Sequence, residues 1–195
     1  MLTIVWDVDD VLNDLMRTWF AEAWKPLHPR CELSYSDITE NPPDHLLGVA
    51  RSEYLSSLDT FRASERASRM APNSVVLEWF QEFGAGYRHL ALTARPLEST
   101  PAVAEWLFRH FGAYIRGFGV VPTRLAAGLP AYHRHKADFL QWFGKADVLV
   151  DDNKENLRQA AELGVRGVLY PQPWNRSSQT VQQALESLAE VAETN

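Results

Sequence analysis

Short apolar runs alternate along this chain with longer stretches whose apolar positions recur at helical spacing. Leu2 to Val8 is β-branched and aromatic, and reads as a buried strand that runs straight into acids. From Val11 the positions Leu12, Leu15, Met16, Trp19, Phe20 and Ala23 follow a helical pattern. Pro26 to Pro43 is broken by prolines and polar residues and reads as loop, and Asp44 to Met70 as one or two short helices carrying Leu46, Leu47, Tyr54, Leu55, Leu58 and Phe61. Beyond Pro72 the pattern predicts a helix Ser74 to Phe83 closed by Gly84 and Gly86, a strand Tyr87 to Thr93, and a helix Glu98 to Phe111 stopped by Gly112. It continues with a strand Arg116 to Val121, a helix Arg134 to Phe143, a strand Val148 to Val150, a helix Glu155 to Leu163 ended by Gly164, and a strand Gly167 to Tyr170. A last helix, Ser177 to Ala192, places Val181, Leu185, Leu188 and Val191 on one face, with Ser177 or Ser178 as its N-cap.

Strands alternating with helices predict an α/β fold, a Rossmann-like parallel sheet with helices on both faces. Residues 16–70 form a small, mainly helical insertion after the first strand, and residues 1–15 and 71–195 form the core. A chain of 195 residues, 46% hydrophobic and without low-complexity runs, can bury such a core. The net charge of −6 argues against a binder of nucleic-acid polymers but leaves room for a small phosphorylated ligand. Cys31 is the only cysteine, which excludes an internal disulfide and a cysteine metal cluster. The N-terminus lacks the basic stretch and apolar core of a signal peptide, and no apolar run approaches a membrane span, so a cytoplasmic protein without a membrane partner is expected.

Three strands end in oxygen-bearing residues: the first at Asp7 and Asp9, the second at Thr93, the third at Asp151 and Asp152. A parallel sheet gathers its carboxyl ends along one edge, where open α/β folds bind ligands. Lys136, at a helix start, lies between the last two in sequence. Crowded carboxylates repel one another, and oxygen ligands with room left for water suit Mg²⁺, which commonly shares its shell with a substrate phosphate. Asp7 is then the candidate nucleophile, Asp9 the general acid and base, and Thr93 and Lys136 the groups that hold phosphoryl oxygens.

Four motifs in order resemble the haloacid dehalogenase superfamily of aspartyl-phosphate phosphatases: "VWDVDDV" at 5–11, "LALTARP" at 90–96, Lys136 in "HRHKADF" and "VLVDDN" at 148–153. The resemblance implies that the side chain of Asp7, the backbone carbonyl of Asp9 and the side chain of Asp151 bind Mg²⁺. It implies that Asp152 supports the metal site or orients Lys136, and that the amides of Val8 and Ala94 help hold the phosphate. It also implies that the insertion is a cap. The segments "DVDDVLND", "LTARP", "VDDNKEN" and "VLYPQPWN" are similar to the 5′(3′)-deoxyribonucleotidase-like group, with Asp10 standing where a glycine is frequent.

Several residues carry two readings. Arg134 is the alternative to Lys136. Trp19, Phe20 and Trp24 either stack on a nucleobase or pack the insertion. Arg95 either contacts substrate or pairs with a surface acid. Asp151 and Asp152 either serve the site or cap the next helix, a task Asn153 can take over. Asn156 either supports the metal site or is helix-surface polarity. His28, His45, His89 and His110 show no metal-binding spacing.

The function expected is Mg²⁺-dependent hydrolysis of a phosphomonoester, with a nucleoside 5′- or 3′-monophosphate as substrate. The alternatives are another small phosphorylated metabolite, such as a sugar phosphate or a phosphoglycolate-like ester, and a non-catalytic phosphate-binding protein. Asp9 speaks against dehalogenation, because an acid at that place has no role in displacing halide. A homodimer whose second subunit completes the pocket is one arrangement that so small an insertion allows.

Overall fold

The computed structural model describes residues 1–193 except residue 126, with side chains described as far as residue 188. Five parallel strands, β1 (Thr3–Trp6), β2 (Arg88–Arg95), β3 (Ile115–Pro122), β4 (Val148–Asp151) and β5 (Arg166–Leu169), form one sheet in the order β3-β2-β1-β4-β5. The central strand β1 is buried along its whole length. Its residues alternate between two cores, as the pleat requires. Ile4 and Trp6 join Val76, Phe80, Leu107 and Phe111 from the helices Ser74–Phe83 and Thr100–Phe111, with Leu185 and Leu188 from the last helix. Val5 joins Phe139 and Leu140 from the helix Lys136–Phe143, and Ala160 from the helix Lys154–Glu162. The expected sheet with helices on both faces is thus observed.

Residues Leu15 to Met70 contain no strand and build a separate hydrophobic cluster around Trp19, Phe20, Trp24, Ile38, Tyr54 and Phe61. Among the described residues, no helix is long and apolar enough to cross a membrane.

Several boundaries differ from the sequence pattern, each for a local reason. The apolar positions from Val11 to Ala23 do not form one helix. A wide turn, Val8–Leu12, ends at Asn13, whose Oδ1 accepts hydrogen bonds from the amides of Asp10 (3.2 Å) and Leu15 (3.0 Å). The chain then restarts as the helix Leu15–Trp19. Asp44 to Met70 holds three helices, Asp44–Leu47, Arg51–Arg62 and Glu65–Ser68. Gly48 at φ 67° ends the first of these, and the Ser64 side chain caps the third. The last helix starts at Val181 rather than Ser177. Its N-cap is Thr180, whose Oγ1 accepts from the Gln183 amide while the Gln183 side chain accepts from the Thr180 amide, a reciprocal capping box that neither Ser177 nor Ser178 makes. Val191 lies outside the described side chains.

The helix Lys136–Phe143 approaches β3 closely because β3 has no side chain at Gly119. A Cβ added there would lie 2.4 Å from the Phe139 ring. Overpacking of this kind costs ~1–3 kcal/mol. Gly119→Ala is therefore expected to lower Tm by several degrees in a thermal melt, and an unchanged Tm would show that the contact is loose.

Candidate functional site

The register of the sheet sets the site. Trp6 lies opposite Ala91 on one side and Val150 on the other, so β1 and β4 end within a residue of each other while β2 runs on past them to Arg95. The Asp7 amide still bonds the Val150 carbonyl at 2.9 Å, after which the chain leaves the sheet in the turn Val8–Leu12. Asp10 takes φ 63° in that turn, a left-handed conformation that aspartate adopts more readily than most residues and glycine most readily of all. Here the Asp10 side chain compensates by accepting from the Met16 amide at 2.8 Å.

Lys136 is the first residue of its helix, and its side chain is almost completely buried. Its Nζ lies 2.7 Å from Asp7 Oδ1 and 2.7 Å from Asp151 Oδ2. Arg134 stands exposed, with only its backbone amide bonded to Asp138, so the ammonium in the cluster is that of Lys136. Asp151 also accepts from the Asn156 side chain at 3.1 Å and from the Asn153 amide at 2.9 Å. The Asn153 side chain caps the following helix through the Glu155 amide at 2.8 Å, which frees both acids from that task.

One carboxylate oxygen from each of Asp7, Asp151 and Asp152 falls within 4.8 Å of the others. Three acids thus share one ammonium. Burial and the charges of Asp151 and Asp152 push the Asp7 carboxyl well above its ordinary range, against the pull of Lys136. Burial and the Asp151 charge raise Asp152 to about 7, against Lys136 and a hydrogen bond from Trp174. Burial alone would lower Lys136, but Asp151 and Asp7 raise it above the usual lysine value. Buried carboxylates left with excess negative charge suit a divalent cation with oxygen ligands. Asp152 stands in this cluster as close as the other two acids, where the resemblance gave it only a supporting part.

Asp9 faces a different environment. Its Oδ1 is ion-paired with Arg95, and its Oδ2 accepts from Arg62 at 3.1 Å. Burial would raise its carboxyl, but the two guanidinium groups hold it below the usual range. Arg95 therefore pairs with a site acid, not a surface one. The Asp9 carboxylate is not among the three acids of the cluster.

A cavity of about 330 Å³ opens beside these groups. Asp7, Ala94, Lys136 and Asp152 line it from the core, and Leu15, Met16, Tyr54, Leu58 and Arg62 from the other side. Thr93 is fully buried within β2, two residues before its end, and its hydroxyl has no hydrogen-bond partner among the described residues. The Val8 amide, expected to bind phosphate, donates to Asp7 Oδ1 at 2.7 Å. Trp19 and Phe20 are corrected: neither lines the cavity. Both are buried in the insertion's own cluster, and the Trp19 indole donates to Ser57 Oγ at 3.1 Å. A segment this short needs its large aromatics for a core.

Sequence reasoning missed Arg62, Tyr54 and Leu58. Their spacing of four residues places them on one face of the helix Arg51–Arg62, and that periodicity was the available signal. It also missed Trp174, which nothing in the local pattern separates from an ordinary turn aromatic.

No protein-family model and no curated protein matches the sequence. Solved structures do match. A haloacid dehalogenase-like family hydrolase of Streptococcus pneumoniae is 14% identical, with 97% of this chain and 98% of that one covered at a TM-score of 0.60. A Geobacter sulfurreducens haloacid dehalogenase-superfamily hydrolase of subfamily IA is 17% identical, covering 98% and 96% at 0.53. A Bacillus subtilis protein described as a hydrolase of the same superfamily, in a magnesium-bound crystal, is 10% identical, covering 97% of each chain at 0.60. Likeness over the full length at such low identity establishes the architecture: this chain has the fold of the haloacid dehalogenase-like hydrolases.

Proposed function

We propose that this chain is a Mg²⁺-dependent phosphomonoester hydrolase that works through an aspartyl-phosphate on Asp7. The observation that carries the reading is the buried Lys136 ammonium, 2.7 Å from both Asp7 and Asp151 and lining a cavity with Asp7. A carboxylate, a buried cation and an unpartnered threonine hydroxyl at one sheet edge match what a phosphoryl group needs.

An Asp7 oxygen attacks phosphorus, and the bond from phosphorus to the ester oxygen breaks. Asp9, protonated once it has exchanged its arginine partner for the leaving group, gives that proton to the leaving oxygen. A water then attacks the acyl phosphate, Asp9 takes a proton from it, and inorganic phosphate leaves with Asp7 regenerated. Thr93, Lys136 and the amides of Val8 and Ala94 hold the phosphoryl oxygens. This requires the Val8 amide to exchange Asp7 for substrate, and Asp9 to exchange an arginine for the leaving group. Asp7, Asp151 and the Asp9 carbonyl would hold Mg²⁺ beside Asp152, and the bound ion would supply charge neutralisation at the phosphoryl group. Residues 16–70 act as the cap over the core formed by residues 1–15 and 71–195.

A nucleoside monophosphate is the finer reading, supported by the motif segments and by Tyr54, an aromatic in the cavity wall. The burial of Trp19 and Phe20 favours a second reading, a sugar phosphate or similar compact ester, because it removes the expected stacking surface. The discriminating experiment is phosphate release from deoxynucleotides, ribonucleotides and sugar phosphates with Mg²⁺ or EDTA. Release is expected with Mg²⁺ alone, and Asp7→Asn is expected to lose at least ~10³-fold. Release by the asparagine variant at near wild-type rates would remove Asp7 as nucleophile.

The raised acids also set a pH dependence. Asp152 titrates at about 7 in the fold against an ordinary 3.8, so from about pH 4 to about pH 7 the folded chain holds a proton that the unfolded chain has lost. Stability of the metal-free protein is expected to fall as pH rises through that window, by on the order of 1–4 kcal/mol. Asp7 acts in the same direction. Melts in EDTA should show this decline, Asp152→Asn should make it shallower, and Mg²⁺ should restore Tm at the alkaline end. A melt that rises with pH across the window would contradict the charge arrangement.

A further inference from the structure

The segment Gln172 to Asn175 holds Asp152 from two sides. The Trp174 indole Nε1 donates to Asp152 Oδ2 at 2.6 Å, and Asn175 Nδ2 donates to the Asp152 carbonyl at 2.8 Å and to that of Tyr170 at 2.7 Å. Gln172 Nε2 donates to the Asp10 carbonyl at 2.7 Å, which ties the same segment to the turn that follows Asp7. Its other face meets the insertion. The Tyr35 hydroxyl donates to Gln172 Oε1 at 2.9 Å, the Trp174 and Tyr35 rings meet edge to face at 6.3 Å, and Trp174 packs on the insertion's hydrophobic cluster. A surface turn would need none of this.

We infer that Trp174 is a positioning residue of the metal centre: its indole N–H fixes which way the Asp152 carboxylate faces within the cluster of Asp7, Asp151 and Asp152. The inference rests on the metal-dependent reading above. A carboxylate packed against two others turns away from them unless a donor holds one of its oxygens. Trp174 is that donor, and the ring's packing against the insertion keeps the indole from following Asp152 if it swings. Such supporting bonds around metal ligands commonly govern metal affinity.

The test is calorimetric titration of the full chain with Mg²⁺ alone, comparing wild type with Trp174→Phe, which keeps an aromatic ring and loses the N–H. Affinity is expected to fall about tenfold in Trp174→Phe, with Tm in EDTA close to wild type. Trp174→His, which restores a ring N–H, is expected to recover part of the loss. In wild type, the Trp174 indole N–H resonance is expected to shift as Mg²⁺ saturates. Equal affinity in wild type and Trp174→Phe would overturn the inference and leave the hydrolase reading standing. No Mg²⁺ binding by wild type would overturn both. If Trp174→Phe does not fold, the wild-type resonance decides: a shift that tracks Mg²⁺ supports the role, and an unmoved signal overturns it.

Discussion

One buried ammonium between two buried carboxylates is the constraint on which the rest of this site depends. Lys136, Asp7 and Asp151 come from a helix and two strands far apart in sequence, and none of the three charges is tolerable alone in so dry a place. Removing one partner of such a pair typically costs about 3–5 kcal/mol, because the other charge stays buried. The fold meets the demand with ordinary packing. Phe139 and Leu140 press the lysine's helix onto the sheet, Gly119 lets it approach, and the alignment of Trp6 with Val150 brings the two acids side by side.

The arrangement is not balanced. Three carboxylates meet with one ammonium, and on β2 the Thr93 hydroxyl is buried without a partner among the described residues. On the proposed function, that excess charge is where a cation and a phosphoryl group would be received. Asp9 is treated differently. Arg95 and Arg62 satisfy both of its oxygens, one from the sheet and one from the insertion. The acid proposed to serve the leaving group is thus physically tied to the segment proposed to close over it.

The parts of this structure legible in sequence are those with local periodicity or a strand-end position. The five strands, their parallel arrangement and the nearness of Asp7 to Asp151 followed from apolar runs that stop at oxygen-bearing residues, while Lys136 was picked out by its motif. The parts that were not legible depend on which way a helix turns after it packs. Trp19 and Phe20 have the composition of a stacking surface, yet face inward to pack with Trp24, Ile38, Tyr54 and Phe61 in the insertion's own core. Arg62 looks like any surface arginine at a helix end until the helix lies across Asp9. Thr180 displaced two nearby serines as N-cap because Gln183 could answer it, a three-residue relation that a single-residue preference does not capture.

The central claim is that Asp7 carries the phosphoryl group. Its most direct test is to mix the Mg²⁺-loaded protein with a phosphate ester it turns over, quench with acid within one turnover, and map the protein by mass spectrometry. The account predicts one phosphoryl group on the peptide that contains Asp7, present during turnover and gone once substrate is exhausted. Steady phosphate release with no modified peptide at any time would contradict it and point to direct attack by water.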